Sequence, residues 1–370
     1  MRNNNHIVIM AGGVGSRFWP MSTPEYPKQF VDVLGRGMSM IQMTVERFAP
    51  LCPIENMWVV TSAAYEALVR EQLPQLPVEN ILLEPAMRNT APCIAYACWK
   101  IRQKNPSANV VVTPADALVV DVDDFRKVIG RALEFTAAGH RIVTVGIRPT
   151  RPETGYGYIE IAGQAGNDGV ANDGSDNDGG DSGNDVTPDL IGSPLKVNSF
   201  REKPALNVAQ EYLASGNYLW NAGIFVWNVD TIVESVRAFV PDLAAKMDRM
   251  SVAFYTPSER EVVGDIFPTC EKISIDYAVM EKADCIYTMP GDFGWSDVGT
   301  WGSLWTLLSH DENGNAVVGE NVHLNDCRGC IVHAPGAESV VLQGLEDSIV
   351  VARDGRLLVC MLSYRAAVND

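Results

Sequence analysis

Hydrophobic positions in the first half of the chain follow two alternating periods. Short continuous apolar runs predict buried strands, and the longer segments between them carry apolar residues at helical spacing. The predicted strands are the run that begins at Ile7 and residues 57–61, 81–83, 110–112 and 141–147. The predicted helices are 63–72, 91–102 and 125–138. This alternation predicts an α/β fold whose mixed, mostly parallel sheet has helices on both faces.

The pattern changes near residue 310. Short strand-like pieces, separated mostly by Gly, Asn and Asp turns, follow one another without a long helix between them: 316–318, 330–332, 339–342, 348–352 and 357–361. Such a series predicts a small all-β unit, for which a coiled β-helix is one form. We therefore expect a large domain over residues 1–305 and a small β-helix-like domain over 306–370.

Residues 163–190 break the pattern of the first domain. They are rich in Gly, Asn, Asp and Ser and carry almost no apolar side chain. A segment of this composition cannot bury a core, so we expect a flexible acidic surface insertion. A metal-binding tract is the alternative, but the aspartates are irregularly spaced and lack the pattern of a calcium loop.

Composition excludes several classes of protein. The formal net charge is −17, which argues against non-specific binding to nucleic acid or to an anionic membrane. No stretch approaches the length of apolar sequence that a membrane helix needs, and the first residues do not resemble a secretion signal. The eight cysteines are scattered, so a reducing cytoplasm is the simplest compartment.

A glycine-rich turn follows the first predicted strand. Gly12, Gly13 and Gly15 let the backbone turn sharply and approach a ligand. Arg17 follows at once, on a loop whose free N–H groups favour an anion, and Lys28 lies just beyond two prolines. Together they predict a site for a phosphorylated nucleotide. The loop lacks the third glycine of a dinucleotide-binding fingerprint and the Gly-Lys-Ser/Thr ending of a Walker loop. A tight turn without a ligand is the alternative.

Two acids are candidates for a magnesium site. Asp116 follows a buried strand and lies at the end of the sheet where the glycine loop is expected. Magnesium seldom rests on a single protein carboxylate, and Asp297, in a turn flanked by glycines and tryptophans, is the best second ligand. The alternative for each is an aspartate that caps a helix or a turn.

Further polar residues could bind a base and a sugar. Arg88, Asn89 and Thr90 lie on a loop ahead of a predicted helix and could contact a purine edge. The alternative is that Asn89 or Thr90 caps the helix. Glu202 could accept hydrogen bonds from sugar hydroxyls, and Lys203 could meet a sugar phosphate. The alternative is that Glu202 and Lys203 form an ion pair at the surface, and the spacing of these residues is compatible with both interpretations.

Nine motifs in order resemble those of the mannose-1-phosphate guanylyltransferases, a family of sugar-1-phosphate nucleotidyltransferases. They span nearly the whole chain: 12–20, 27–29, 84–92, 113–116, 154–159, 202–204, 220–225, 275–282 and 294–301. The resemblance implies that GTP and α-D-mannose 1-phosphate give GDP-mannose and pyrophosphate, with Mg²⁺. It also implies a nucleotide-diphospho-sugar transferase fold, which is Rossmann-like, and a small left-handed β-helix at the C-terminus.

The resemblance also implies roles for individual residues. The catalytic residues would be Arg17, Lys28, Asp116 and Asp297, and the two acids would hold the metal. Residues near the phosphates and guanine would be Gly12, Gly13, Gly15, Arg88, Asn89 and Thr90. Residues near the sugar phosphate would be Gly155, Glu202, Lys203 and Asn221, with Asp276 in a less defined role near the sugar.

Some expectations stay open at this stage. Family members commonly have His after the acid at 116, where this chain has Ala117. We expect no fused isomerase activity of the kind found in longer relatives. The alternatives are transfer to another sugar 1-phosphate, such as that of fucose or a heptose, and a non-catalytic GDP-mannose-binding subunit. The oligomeric state is open and compatible with a homodimer.

Overall fold

The computed structural model of the protein describes residues 4–13, 15–162 and 190–362. Its strands are β1 Asn5–Ala11, β2 Met57–Ser62, β3 Ile81–Glu84, β4 Asn109–Pro114, β5 Leu118–Val119, β6 Ile142–Ile147, β7 Gly157–Ile161, β8 Leu195–Glu202, β9 Tyr218–Asn228, β10 Ile286–Gly291, β11 Trp295–Ser296, β12 Ala316–Val318, β13 Val322–Asn325, β14 Ile331–His333, β15 Val340–Gln343, β16 Ser348–Arg353 and β17 Arg356–Met361. Its α-helices are α1 Met40–Phe48, α2 Glu66–Gln72, α3 Thr90–Lys104, α4 Val122–Ala137, α5 Leu206–Ser215, α6 Val229–Phe239, α7 Pro241–Ser251, α8 Glu259–Ile266 and α9 Trp301–Trp305.

A nine-stranded sheet forms the centre of the molecule, with strand order β3-β2-β1-β4-β9-β6-β10-β8-β7. The first four strands of this order pair in parallel, as do β6 and β10. Strands β8 and β9 run antiparallel to their neighbours. The sheet is therefore mixed, and most of its strands point in one direction, as the sequence predicts.

Helices cover both faces of this sheet because the strand side chains alternate between two cores. Val8 of β1 packs into a cluster with α3, α6, α7 and α8, whereas its neighbours Ile7 and Ile9 pack into a cluster with α1, α2, α4 and α5. All three side chains are fully buried. A parallel sheet whose strands are apolar on both faces is stable only with helices on each side, and this part of the predicted fold is confirmed.

The C-terminal strands form parallel ladders. Strands β12, β14 and β16 pair in parallel in one sheet, and β13 and β15 pair in parallel in another. Antiparallel β17 closes the first sheet. The side chains of Val332 and Val350 are buried between the two ladders together with Cys327 and Cys330. The sequence predicts five of these six strands, and β13, whose residues are half exposed, was not predicted.

The acidic insertion predicted at 163–190 lies, except for its last residue, outside the described residues. Within the described ranges, no helix combines the length and the apolar content that a bilayer crossing requires.

Candidate active site

A cavity of about 520 Å³ lies beyond the carboxyl ends of β1 and β4, the end of an open α/β sheet where ligands bind. Residues of β7, β9 and the loop after β11 also line it. Ten of the predicted site residues face this cavity: Gly15, Arg17, Lys28, Thr90, Asp116, Gly155, Glu202, Asn221, Asp276 and Asp297. Lys203 lines an adjoining cavity of about 1030 Å³ that shares Arg17 and Asp297 with the first. Gly12, Gly13, Arg88 and Asn89 are not among the lining residues of either cavity.

A two-residue ladder brings Asp116 and Asp297 together. Strand β5 begins two residues after Asp116, and β11 ends one residue before Asp297. These short strands pair antiparallel, with Leu118 opposite Ser296 and Val119 opposite Trp295. Continued by one residue, this register would put Ala117 opposite Asp297, and Asp116 is the next residue along. Both acids therefore lie at the same end of the ladder, and both line the cavity.

Lys28 connects the two acid-bearing loops. Its Nζ lies 3.0 Å from Asp116 Oδ2 and donates hydrogen bonds to the backbone oxygens of Asp297, at 2.8 Å, and Val298, at 3.0 Å. The three donors of the ammonium group are thus all used. Lys28 is 3% exposed, and a buried cation is tolerated because it is paired and fully hydrogen-bonded. Lys28 therefore joins the Asp116 carboxylate to the backbone of the loop that carries Asp297.

The chemistry of the two acids is compatible with a divalent cation. The Asp116 side chain is 41% exposed. Asp297 Oδ1 accepts hydrogen bonds from Tyr156 Oη, at 2.6 Å, and from the N–H of Gly299, at 3.0 Å. No group of three or more potential His, Cys, Asp or Glu ligands occurs within the described ranges. Magnesium usually takes one or two carboxylates and completes its shell with water and phosphate oxygens, so a pair of acids is sufficient.

Gln29 and Gly15 shape the glycine loop. The side-chain amide of Gln29 donates to the carbonyls of Ala11, at 3.0 Å, and Gly13, at 2.9 Å, which holds those oxygens on the protein side of the loop. Gly15 has φ +66°, and a Cβ there would lie 2.5 Å from the Cβ of Lys28. Only glycine allows this close approach, so the loop and Lys28 are packed against each other.

A bulge in β9 turns Asn221 towards the cavity. The register between β6 and β9 shifts between Thr144 and Gly146, and bulges of this kind re-aim side chains near functional sites. The hydroxyl of buried Thr144 donates to Asn221 Oδ1 at 2.8 Å, and Asn221 Nδ2 donates to Asp276 Oδ1 at 3.3 Å. The orientation of the Asn221 amide is thereby fixed.

Glu202 and Asp276 form an acidic pair next to Asn221. Burial, and secondarily the charge of Glu202, raises the pKa of Asp276 from 3.8 to about 6. Lys203 Nζ lies 2.8 Å from Glu202 Oε1. A Cβ on Gly157 would lie 2.7 Å from Glu202 Oε2, so glycine at this position leaves room for the carboxylate. Neighbouring carboxylates with amide and ammonium groups are suited to binding a polyhydroxylated ligand.

The loop ahead of α3 makes structural contacts. Asn89 caps α3, since its side chain accepts from the N–H of Thr90. The Thr90 hydroxyl accepts from the N–H of Ile275 at 2.8 Å, and Arg88 donates to the Pro268 carbonyl. The capping interpretation therefore holds for Asn89, and the predicted contacts of this loop with a base stay a prediction.

Sequence reasoning missed three residues that support the site. Gln29 and Tyr156 belong to motifs that were recognised, but their side chains had no assigned role. Thr144 lies in a continuous apolar strand, where a single threonine is a common core residue. Two patterns could have indicated these residues: a hydroxyl side chain in an otherwise apolar strand for Thr144, and one between two glycines for Tyr156.

Comparison with known proteins places this arrangement in a family. A model of the nucleotidyl transferase family matches residues 6–314. A mannose-1-phosphate guanylyltransferase from Escherichia coli K12 is 35% identical, over 98% of this chain and 71% of its own length. One from Salmonella montevideo is 38% identical, over 95% of this chain and 70% of its own length.

A solved structure agrees with these sequence relatives. It is described as a mannose-1-phosphate geranyltransferase from Thermus thermophilus and superposes on this chain with a TM-score of 0.81. The two sequences are 30% identical, and the match covers 99% of this chain and 97% of the other.

Proposed function

The chain belongs to the mannose-1-phosphate guanylyltransferase family, and we propose that it joins GTP to α-D-mannose 1-phosphate, releasing GDP-mannose and pyrophosphate. One observation supports this most strongly. A glycine loop with Arg17, a pair of acids bridged by Lys28, and the polar cluster around Asn221 all face the same cavity. These are the groups that a nucleoside triphosphate, a divalent cation and a sugar phosphate each require.

The chemistry needs alignment and positive charge more than proton transfer. The phosphate oxygen of the sugar is already an anion, so it can attack the α-phosphorus of GTP without a general base. The attack is in line, and pyrophosphate leaves from the opposite side. Arg17 is exposed at the glycine loop and would hold the phosphates of the leaving group. Lys28 would supply positive charge at the wall of the cavity where negative charge develops.

Asp116 and Asp297 would hold Mg²⁺ in this site. When bound, the cation neutralises phosphate charge and so favours attack by a second anion. The contribution of the chain is to keep both carboxylates at one wall, through the β5–β11 ladder and Lys28.

The substrates would divide the cavity between them. Gly155, Glu202, Lys203, Asn221 and Asp276 would contact mannose 1-phosphate, because their polar groups lie together around β7, β9 and the π-helical turn at Asp276–Met280. The other subsite would hold GTP. Gly15 and Thr90, which line the cavity, would contact it, with Gly12, Gly13, Arg88 and Asn89 in the same two loops.

We also propose a boundary near residue 305 between the nucleotidyltransferase domain, 1–305, and a left-handed β-helix-like domain, 306–370. The parallel ladders β12-β14-β16 and β13-β15 support a coiled arrangement. The cytoplasmic location and the homodimer remain predictions.

A pyrophosphate-release assay tests the function. The wild-type protein with Mg²⁺ is given GTP or ATP, paired with the 1-phosphates of mannose, glucose, fucose or a heptose. We expect fastest release with GTP and mannose 1-phosphate. Faster release with another sugar would assign that sugar instead. Binding of GDP-mannose without any pyrophosphate release would indicate a non-catalytic subunit.

The Asp116→Asn variant tests the assignment of the acids. We expect turnover to be lost and the protein to stay folded, with a lower thermal midpoint because buried Lys28 loses its paired charge. Asp123→Asn, which changes an 85%-exposed aspartate on α4, is the matched control and should keep full activity. Near-normal turnover of Asp116→Asn would refute the role of Asp116 in metal binding.

A further inference from the structure

Tyr156 lines both of the adjoining cavities. Its side chain has no role in the function proposed above. Its hydroxyl donates to Asp297 Oδ1 at 2.6 Å. The backbone carbonyl of the same residue accepts from the N–H of Lys203 at 3.2 Å. Tyr156 thus contacts a candidate metal ligand through its side chain and the sugar-phosphate side of the site through its backbone.

The position of the Tyr156 ring is fixed by two tryptophans. The rings of Trp220 and Trp295 pack edge-on against it, with centroids 5.2 and 5.4 Å away and interplanar angles of 84° and 70°. Edge-to-face packing on two sides restricts the rotation of the tyrosine ring. The phenol hydroxyl is therefore preorganised to donate to Asp297.

The hydrogen bonds to Asp297 select one of its two oxygens for a ligand. Oδ1 receives both the Tyr156 hydroxyl and the N–H of Gly299, so Oδ2 is the oxygen with capacity left for a cation. Residues that orient a metal ligand in this way are worth about 10- to 100-fold in metal affinity. Without these hydrogen bonds the carboxylate of Asp297 could rotate and would no longer be preorganised for a cation.

We propose that Tyr156 is a positioning residue, which holds Asp297 so that Oδ2 faces a divalent cation. This inference rests on the proposed function only in taking Asp297 as a metal ligand. The phenol hydroxyl is the group that matters, since the ring would keep its packing between the tryptophans without it.

The test is Mn²⁺ binding to the intact protein, followed by electron paramagnetic resonance, for wild type and Tyr156→Phe in the presence of GTP alone. We expect the Mn²⁺ dissociation constant to rise about 10-fold or more in the variant. The Mg²⁺ concentration at half-maximal turnover should rise by a similar factor, with kcat at saturating Mg²⁺ changed much less. Tyr255→Phe, which removes a hydroxyl that donates to the Lys100 carbonyl, should match the wild type.

Two results would overturn the proposal. One is an Mn²⁺ affinity of Tyr156→Phe within twofold of the wild type. The other is a wild-type protein that binds no Mn²⁺ beyond that held by GTP in solution. A loss of kcat with unchanged metal dependence would also count against it, because that is what a merely structural role predicts. Because Mn²⁺ binding is read without turnover, a protein that releases no pyrophosphate would overturn the proposed function and still leave this test valid.

Discussion

Glu84 is a buried carboxyl group at the end of β3. Its replacement by glutamine tests how the ionisation of a buried carboxyl group changes the stability of the protein with pH. Glu84 is 8% exposed, and its Oε1 has no hydrogen-bond partner among the residues that the structure describes. Burial raises its pKa from 4.5 to about 7. Glu84→Gln preserves the shape of the side chain and removes its ability to ionise.

The pKa fixes the size and the sign of the effect. A rise from 4.5 to about 7 corresponds to roughly 3 kcal/mol, because one pH unit is worth about 1.4 kcal/mol. Between these pH values the folded chain binds the proton and the unfolded chain does not. The contribution of Glu84 to stability is therefore fully present below pH 4.5 and is lost as the pH rises through 7.

The assay is denaturant unfolding of wild type and Glu84→Gln from pH 5 to pH 8. We expect the variant to be more stable than wild type by up to about 3 kcal/mol at pH 8, with the difference falling to about 1 kcal/mol at pH 5. Glu79→Gln, which changes a 55%-exposed carboxylate just before β3, should show no such pH-dependent difference. A constant difference between Glu84→Gln and wild type at every pH would refute the reasoning.

Two further predictions concern residues that support the cavity. Gly15→Ala should lower kcat/KM and cost about 1–2 kcal/mol of stability, since the φ of Gly15 is +66°. The control is Gly130→Ala in α4, which has open space around it and should gain about 0.5–1 kcal/mol. Denaturant unfolding and initial rates are measured for both variants. Thr144→Val removes the hydroxyl bonded to Asn221 and should raise the KM for mannose 1-phosphate about fivefold, from a loss of about 1 kcal/mol. Thr288→Val, opposite it on β10 and without a hydrogen-bond partner in the described chain, should leave that KM unchanged.

Local pattern was sufficient for the first four parallel strands of the sheet. Residues 57–61, 81–83 and 110–112 lie within observed strands. The helix predicted at 91–102 lies inside α3, and the helix predicted at 125–138 begins three residues after the start of α4 and ends one residue beyond it. Continuous apolar runs and helical spacing are properties of neighbouring residues, so one sequence reveals them. The position of the site at the carboxyl ends of β1 and β4 follows from the same pattern.

Long-range pairing could not be predicted in this way. Strand β9 lies between β4 and β6 and runs antiparallel to both. The hydrophobic pattern of the chain does not predict which strands β9 pairs with or in which direction it runs. The β5–β11 ladder is only two residues long on each side, too short for any repeat. The sequence predicted that Asp116 and Asp297 converge, but from the requirements of a metal site rather than from this pairing.

Long-range side-chain contacts could not be predicted from the sequence either, as the partners of Lys28 show. The sequence predicts Lys28 as part of a site for a phosphorylated nucleotide, but it does not predict which groups of the chain the ammonium contacts. In the structure its ammonium group is fully bonded to Asp116 and to two backbone carbonyls. Charge alone cannot distinguish these contacts from contacts with phosphates, because both require a lysine close to the loop.

The C-terminal strands extend this argument to the whole chain, because they pack on the segment that carries the nucleotide loop. Phe18 shares a hydrophobic cluster with side chains of β14 and β16. His333 Nε2 lies 3.2 Å from the Val33 carbonyl, and Arg353 donates to the Met21 carbonyl at 2.9 Å. Glycines restrict a backbone little, so a glycine-rich loop depends on its neighbours for rigidity. The small β unit therefore supports the segment that follows the glycine loop. We expect substitutions of His333 or Arg353, neither of which lines the cavity, to weaken GTP binding measured by titration.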